Sequence, residues 1–508
     1  MTMLAGTRRL VMPPSSNLRQ SDDFAWLYLL PAHRHIVCVG NPTSGLEAAA
    51  ADLGAVVSVM DAQTELPGSG PIDALLVVSR DAAETRAAVE SCRTRLRSDG
   101  VVVQLIGSSS VTGRADWATL GKQSRSVFRR RLSKLVGMVG ARTASWLRSD
   151  VPTRSRHHAS DVRFVQVPAD LSPSRRMGAV SVSLGSLSLP AYVSDLGARF
   201  GLAFDEARWT FGPPRGFASQ KVVYGLARSE GPIDTILKIT QSSRFNARLD
   251  AEADALTALA AIPGLQFVVP KVVFRSEYAG RSVICQTMIA GSSFRTRATR
   301  NAREPVATAG FQAATDLSAR TVSPPTPGES AAAINGLLDD FLNIYTPPST
   351  TVTALTAVAG RLAEVDIPTV FMHGDFGVWN LLIDEDDKVG VLDWENGDPQ
   401  GAPLWDLFIY ARTLGVFLAD VSGVRYSPSV FARQLLGQSE LRHALFDHIR
   451  EYRRHVEVPV PSVDDLFVMC WVQQAVREAA SLVSPTWLGS HGTQLLDQAI
   501  RKPLGFRG

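Results

Sequence analysis

The stretch FMHGDFGVWNLLIDEDDKVGVLDWE, residues 371 to 395, decides the fold of the carboxyl-terminal half of the chain. A short apolar run leads into the tripeptide HGD, which ends at Asp375, and a turn then leads to Asn380. The strand LLI, the acidic turn DEDDK and the strand VGVL predict a β-hairpin that ends at Asp393. Such a hairpin brings Asn380 and Asp393 to the same end of two paired strands, where an amide oxygen and a carboxylate can share one Mg²⁺. Asp375 lies in the same loop, where it can orient the proton of an attacking hydroxyl.

This stretch resembles the catalytic segment of the aminoglycoside phosphotransferase and choline kinase superfamily, whose signature is HGDxxxxN followed by a strand that ends in Asp. The resemblance implies that Asp375 is the catalytic aspartate and that Asn380 and Asp393 are the metal ligands. It places His373 where a structural hydrogen-bonding residue is expected. Asp406 begins a later helix at a position that is usually acidic in the superfamily, and we expect it to brace the catalytic loop. The implied reaction moves the γ-phosphate of ATP or GTP, with Mg²⁺, to a hydroxyl of a small molecule, sugar or glycan intermediate.

The upstream sequence supplies the other parts that the resemblance requires, in the right order. The segment TILKIT places Lys238 on an alternating strand, and the helical segment LDAEADALTALA carries Glu252 as its ion-pair partner. Taken alone, such a Lys and Glu are usually solvated charges. The segment RGFASQKVVYGL resembles the hairpin that covers the nucleotide phosphates, and it assigns Gly216, Ser219 and Gln220 to nucleotide binding. A loose hairpin of this composition is also common without any ligand.

The amino-terminal part has a different pattern. Between about residues 33 and 110, the valine-rich segments HIVCVG, AVVSVMD, IDALLVVS and GVVVQLIG alternate with helical segments, which predicts a parallel α/β sheet. The first two strands and the glycine turn between them resemble a class I S-adenosylmethionine-dependent methyltransferase, with Asp61 placed to bind ribose hydroxyls. Cys38 stands where that family usually has an acid, and Pro42 replaces a glycine of the turn. An active methyltransferase and a degraded site that serves as a structural or recognition module therefore both stay open.

The sequence thus predicts an α/β Rossmann-like amino-terminal domain plus an α+β bilobal protein-kinase-like domain. We assign residues 1–121 to the Rossmann-like domain and 122–195 to a basic segment and connector. Residues 196–290 are assigned to the kinase N-lobe, and 291–508 to a mainly helical C-lobe.

The composition is that of a globular protein. The chain has 508 residues, of which 45% are apolar and 20% charged, and its formal net charge is +3. This near balance argues against a wholly basic nucleic-acid-binding protein, and the sequence has no recognised nucleic-acid-binding module, so no nucleic acid partner is expected. The four cysteines lie far apart without histidines at zinc-ligand spacing. No segment reaches the roughly 18 apolar residues of a transmembrane helix, and we expect a cytoplasmic protein.

A basic segment runs from Lys122 to Arg156, with ten Lys or Arg residues against one acid. It is either a solvated surface or an interfacial segment that contacts an anionic membrane.

Two further readings of the whole chain stay open. One is a catalytically silent kinase-like scaffold, and the other is a bifunctional methyltransferase and kinase. The segments TRATRNAREP and HIREYRRH, which are expected near the acceptor cleft, carry more Arg than acid. They favour a neutral or anionic acceptor, such as a sugar, glycolipid or glycan intermediate, over a polycationic antibiotic.

Overall fold

The computed structural model describes six strands of the amino-terminal part and most of the chain from residue 189 onward. The described ranges are 34–39, 55–60, 72–78, 96–105, 163–165, 180–183 and 189–507, with gaps at 206–208, 213–220, 229–231, 241–242, 301–302, 327 and 480–484. The chain divides into two compact units. Of the described residues, the first unit contains those within 251–269 and 290–507, and the second contains those within 34–250 and 270–289.

The amino-terminal strands form one six-stranded sheet in the order β2-β1-β3-β4-β6-β5. Strands β1 to β4 run parallel, and β6 pairs antiparallel with both β4 and β5. The strands are β1 (Arg34–Val39), β2 (Ala55–Met60), β3 (Ile72–Val78), β4 (Leu96–Leu105), β5 (Arg163–Val165) and β6 (Val180–Ser183). All four valine-rich segments therefore form strands of a parallel sheet, as predicted.

Two features of this sheet differ from the sequence-based outline. Strands β5 and β6 lie within the segment 122–195, and they extend the sheet that we assigned to residues 1–121. The boundary drawn at residue 121 thus separates strands that pair with one another. The predicted helices between the first four strands, the residues Pro42 and Asp61, and the basic segment 122–156 lie outside the described residues.

A second, antiparallel sheet has the strand order β10-β11-β9-β8-β7. Its strands are β7 (Trp209–Gly212), β8 (Lys221–Leu226), β9 (Thr235–Thr240), β10 (Val272–Tyr278) and β11 (Arg281–Thr287). Helix α1 (Ala191–Arg199) shares a buried apolar cluster with this sheet, to which it contributes Tyr192, Val193 and Leu196. The Tyr192 and Tyr224 hydroxyls lie 2.7 Å apart inside that cluster. This packing begins before residue 196, so α1 crosses the boundary that we drew there.

The rest of the described chain is mainly helical, as the sequence predicts. The helices are α2 (Asn246–Ala260), α3 (Phe294–Arg300), α4 (Arg303–Thr321), α5 (Glu329–Ile344), α6 (Ser349–Ala363), α7 (Trp405–Val421), α8 (Pro428–Phe431), α9 (Glu440–Tyr452), α10 (Ser462–Ala479) and α11 (His491–Arg501). The short strands are β12 (Ser292–Ser293), β13 (Val370–Met372), β14 (Leu381–Ile383), β15 (Val389–Val391) and β16 (Asp398–Gly401). None of the described helices is long and apolar enough to span a membrane.

Aromatic packing around helix α10 stabilises this helical part of the chain. Phe467, Cys470 and Trp471 are almost completely buried, and they follow the three- and four-residue spacing of one helix face. The Phe467 and Trp471 rings both pack against Phe431, with centroids 6.2 Å and 5.2 Å away. The carboxyl end of α10 carries Arg477, so this core also fixes one charged residue near the HGD loop.

Candidate active site

The predicted hairpin forms from β14 and β15. Leu381 pairs with Val391, and the Leu392 N–H donates to the Asn380 carbonyl at 2.9 Å. Asn380 and Asp393 therefore lie at the same end of the hairpin. At the other end, the Asp384 carboxylate accepts hydrogen bonds from backbone N–H groups within the DEDDK turn and holds that turn closed.

Asp375 and Asn380 are joined directly. The Asn380 amide nitrogen donates to the Asp375 carbonyl at 2.8 Å and to its Oδ2 at 3.2 Å. The Gly377 N–H also donates to the Asp375 carbonyl, at 2.7 Å. Because the amide nitrogen of Asn380 is engaged in this way, its side-chain oxygen is the atom that can accept a cation.

Burial raises the pKa of the Asp375 carboxyl above its usual range. Hydrogen bonds from Trp379 and Asn380 oppose this rise, whereas the Asp393 charge adds to it. An aspartate in this setting is a better proton acceptor than an exposed one.

His373 is fully buried, and both ring nitrogens are engaged. Its Nδ1 accepts from the Asp375 N–H at 3.2 Å, and its Nε2 donates to the Leu392 carbonyl at 2.8 Å. These two bonds require a neutral ring with the proton on Nε2. His373 thus ties the HGD loop to the end of β15, and neither nitrogen is available as a base.

Asp406 lies in the first turn of α7, where the helix dipole favours a carboxylate. Its two oxygens accept the backbone N–H groups of His373 at 2.6 Å and Gly374 at 2.9 Å. Burial raises the Asp406 pKa, and the two backbone hydrogen bonds and the charge of Arg477 oppose that rise. The side chain thereby holds the HGD loop on the start of α7.

Arg477 completes this arrangement, and the sequence analysis missed it. Its Nη1 donates to the Gly374 carbonyl. Burial lowers the Arg477 pKa, whereas the negative charges of Asp375 and Asp406 raise it. Arg477 is therefore a partly buried cation whose charge acts on the carboxylates of Asp375 and Asp406. No sequence pattern marks it, because it is one arginine near the end of an otherwise ordinary helix, about a hundred residues after the motif.

A cluster of carboxylates lies beside the predicted metal ligands. Oxygen atoms of Glu252, Asp393 and Glu395 lie within 4.8 Å of one another. Glu252 is fully buried, and Asp393 has a left-handed backbone with φ of 67°. Together with the Asn380 side-chain oxygen, this donor set consists of hard oxygen atoms, which fit Mg²⁺.

Only some of the residues that we expect to bind the nucleotide are among the described residues. Lys238 is buried on β9, as predicted for its strand, and it belongs to the other compact unit from Glu252. Their ion pair therefore stays a prediction. Gly216, Ser219 and Gln220 lie outside the described residues.

Among the arginines behind the sequence-based charge argument for the acceptor, those whose side chains are described are paired with acids or carbonyl groups. Arg297 donates to Asp387 of the DEDDK turn at 2.7 Å. Arg450 pairs with Asp447 at 2.8 Å, and Arg454 pairs with Glu451. These side chains contribute little net positive charge, so that argument for a neutral or anionic acceptor loses its basis at these positions.

Comparison with known proteins agrees with this geometry. Residues 213–452 match the family model described as "Phosphotransferase enzyme family". No curated protein matches the chain at a significant level.

Solved structures with similarity to the chain include two bacterial enzymes. The macrolide 2'-phosphotransferase MphH from Brachybacterium faecium has 17% identity, covers 58% of this chain and 97% of its own, and gives a TM-score of 0.35. The aminoglycoside phosphotransferase APH(3'')-Id from Streptomyces rimosus has 16% identity, with 57% and 97% coverage and a TM-score of 0.35. A mutant of aminoglycoside phosphotransferase APH(4)-Ia, in complex with ADP and hygromycin B, has 13% identity, with 62% and 98% coverage and a TM-score of 0.39. At these values the structures identify no acceptor for this chain.

The family match spans the HGD loop, the hairpin and helix α7. Through this region, the chain is an aminoglycoside phosphotransferase-like kinase that uses a nucleotide.

Proposed function

We propose that this protein transfers the γ-phosphate of ATP or GTP, with Mg²⁺, to a hydroxyl group of a small molecule, sugar or glycan intermediate. The observation that carries the proposal is the HGD loop. Asp375 is hydrogen-bonded to Asn380, and Asn380 lies at the same end of the hairpin as Asp393. One loop thus presents a candidate proton acceptor next to candidate cation ligands.

In this proposal, Asp375 receives a hydrogen bond from the acceptor hydroxyl and orients it for attack. Phosphoryl transfer has a loose transition state, so positioning and charge neutralisation provide most of the catalysis. Four constraints hold the carboxylate in place: the Asn380 amide, the His373 ring, the Asp406 carboxylate on the neighbouring backbone, and Arg477. A rigid loop lowers the entropy that is lost when the hydroxyl is aligned.

Asn380 and Asp393 are the proposed metal ligands, and the neighbouring Glu252 and Glu395 carboxylates add negative charge. When bound, Mg²⁺ neutralises the charge of the phosphate groups. Lys238 is proposed to bind the α- and β-phosphates, with Glu252 as its partner. Gly216, Ser219 and Gln220 are proposed to cover the phosphates.

The test is ADP release by the full-length protein with Mg-ATP and a panel of sugars, glycolipids, amino alcohols and aminoglycosides. We expect at least one acceptor to stimulate ADP release, and Asp375→Ala to remove that stimulation. Asp386→Asn is the matched control, because Asp386 is an exposed acid at the far end of the same hairpin. If Asp375→Ala keeps near-wild-type turnover while the control behaves normally, the proposed role of Asp375 is wrong.

A further inference from the structure

An exposed aromatic residue lies beside the proposed catalytic aspartate. Trp379 is 50% exposed, and its indole nitrogen is 3.5 Å from Asp375 Oδ2. Gly377 permits this position, since a Cβ there would lie 2.6 Å from the Trp379 ring. A large apolar face held in solvent next to a reactive carboxylate is a platform for a ring-shaped ligand.

An arginine also lies near this indole. The Arg412 guanidinium carbon is 5.9 Å from the Trp379 ring centroid and 5.9 Å from the Tyr426 ring centroid. The next residue, Thr413, accepts a hydrogen bond from the Val378 N–H at 3.2 Å. Helix α7 is thereby fixed to the HGD loop. The positions of Arg412, Trp379 and Asp375 are therefore fixed relative to one another.

Arg412 differs from the arginines discussed above. No carboxylate among the described residues forms an ion pair with it. Arg412 and the neighbouring Tyr426 side chain are close enough to act on each other as hydrogen-bonding groups, although neither the Arg412 Nε nor the Tyr426 hydroxyl has a partner of good geometry. A guanidinium carries five N–H donors, so its contact with Tyr426 leaves other donors of Arg412 for a further partner.

Arg412 brings a positive charge to this cluster, which also borders two acids, Asp375 beside the Trp379 indole and Glu478 on the His491 backbone N–H. Burial and the Arg412 charge lower the His491 pKa to about 4, so that His491 is neutral. Burial raises the Tyr426 pKa to about 12, and the charge of Arg412 and a hydrogen bond with it oppose the rise, so that Tyr426 keeps its proton. The His491 and Tyr426 rings lie 5.9 Å apart. The cluster therefore combines one cation, one hydroxyl donor and two aromatic faces.

We propose that Arg412, Trp379 and Tyr426 form an acceptor subsite for a hydroxylated ring compound that carries one anionic group, of the sugar acid or sugar phosphate class. The inference rests on the proposed function. The ring lies on the Trp379 indole, one hydroxyl reaches Asp375, and the anionic group receives charge-assisted hydrogen bonds from Arg412. The planar guanidinium suits the two oxygens of a carboxylate or phosphate. The same charge repels polycationic acceptors.

Calorimetry tests the subsite directly. Glucuronate, glucose 6-phosphate, glucose and kanamycin are titrated into full-length protein saturated with Mg²⁺ and ADP, so that the anions do not bind at the nucleotide site. We expect glucuronate and glucose 6-phosphate to bind at least about tenfold more tightly than glucose, which matches one charge-assisted hydrogen bond. Arg412→Met should abolish this preference, and Arg412→Lys should keep part of it. Trp379→Ala should lower the affinity for glucuronate, glucose 6-phosphate and glucose alike.

Arg433→Met serves as the matched control, because Arg433 is an exposed arginine of the same compact unit. It should leave every affinity unchanged. The proposed subsite is wrong if glucose binds as tightly as the anionic sugars, if kanamycin binds more tightly than they do, or if no sugar binds. It is also wrong if the preference for anionic sugars persists in Arg412→Met.

Turnover separates this inference from the proposed function. If phosphorylation depends on ATP and Asp375 but shows no preference for anionic sugars, the proposed phosphoryl transfer is supported and the proposed subsite is wrong. If anionic sugars bind through Arg412 but neither they nor any other acceptor is phosphorylated, the proposed subsite is supported and the proposed phosphoryl transfer is wrong.

Discussion

Replacement of Arg477 by methionine should destabilise the protein and move the acidic limb of its activity profile to higher pH. Arg477 is partly buried, donates to the Gly374 carbonyl, and acts through its charge on the Asp375 and Asp406 carboxylates. Methionine keeps much of the side-chain volume, but it leaves the buried Gly374 carbonyl without this donor and the two carboxylates without their neighbouring cation. Removal of one partner of a buried hydrogen bond costs about 1–3 kcal/mol. We expect a loss of that order in the free energy of unfolding.

The effect on activity has a definite sign. Burial already raises the Asp375 pKa, and the positive charge of Arg477 favours the ionised carboxylate. Without that charge, the Asp375 pKa rises further, so the carboxylate that orients the acceptor is populated only at higher pH. The acidic limb of kcat/KM should therefore move upward. A merely structural role would lower stability without moving this limb.

Urea denaturation and a pH–rate profile measure the two effects. Arg361→Met is the matched control, because Arg361 also donates two hydrogen bonds, to Asp465 at 2.9 and 2.6 Å, but its side chain is 58% exposed. Exposed ion pairs contribute roughly 0–1 kcal/mol. If Arg477→Met is no less stable than Arg361→Met and its pH profile is unchanged, the account of Arg477 is refuted.

Three other predictions concern backbone strain, metal binding and the amino-terminal domain. Gly374→Ala should destabilise the protein by more than about 1–2 kcal/mol in urea denaturation, because Gly374 has φ of 79° and a Cβ there would lie 2.6 Å from the Asn396 carbonyl oxygen. Asp393→Ala should remove Mg²⁺-dependent nucleotide binding, since it deletes a charged ligand, and unchanged Mg-ATP binding by calorimetry would rule out that role. The protein should bind S-adenosylmethionine weakly or not at all, and micromolar binding that is lost in Asp61→Ala would show an intact cofactor site.

The local features of the site were predictable from the sequence. Alternating apolar residues and the acidic turn predict the hairpin, and its register then places Asn380 and Asp393 at one end. The spacing of valine-rich segments likewise predicts β1 to β4, because strand periodicity is a local property.

Long-range pairings were not predictable. Arg297 reaches the DEDDK turn 90 residues later, and Arg477 reaches Gly374 from 103 residues away. Nothing local distinguishes these two arginines from Arg412, whose guanidinium has no carboxylate partner among the described residues. A count of Arg residues in each segment therefore predicted a positively charged acceptor cleft. The observed ion pairs remove the basis of that prediction. Strands β5 and β6 were missed for the same reason, since their pairing with β4 is set by the sheet and not by their own short sequences.

The central claim is that Asp375 acts in phosphoryl transfer and not in nucleotide binding. The most direct measurement is transfer of radiolabelled γ-phosphate from ATP to the acceptor in a single turnover, with Asp375→Asn beside wild type and Asp386→Asn, and with Mg-ATP affinity measured on the same preparations. We expect Asp375→Asn to bind Mg-ATP with near-wild-type affinity and to transfer label on the order of 10²–10⁴-fold more slowly. Transfer at the wild-type rate by Asp375→Asn, or loss of Mg-ATP binding as the cause of its inactivity, would contradict the claim.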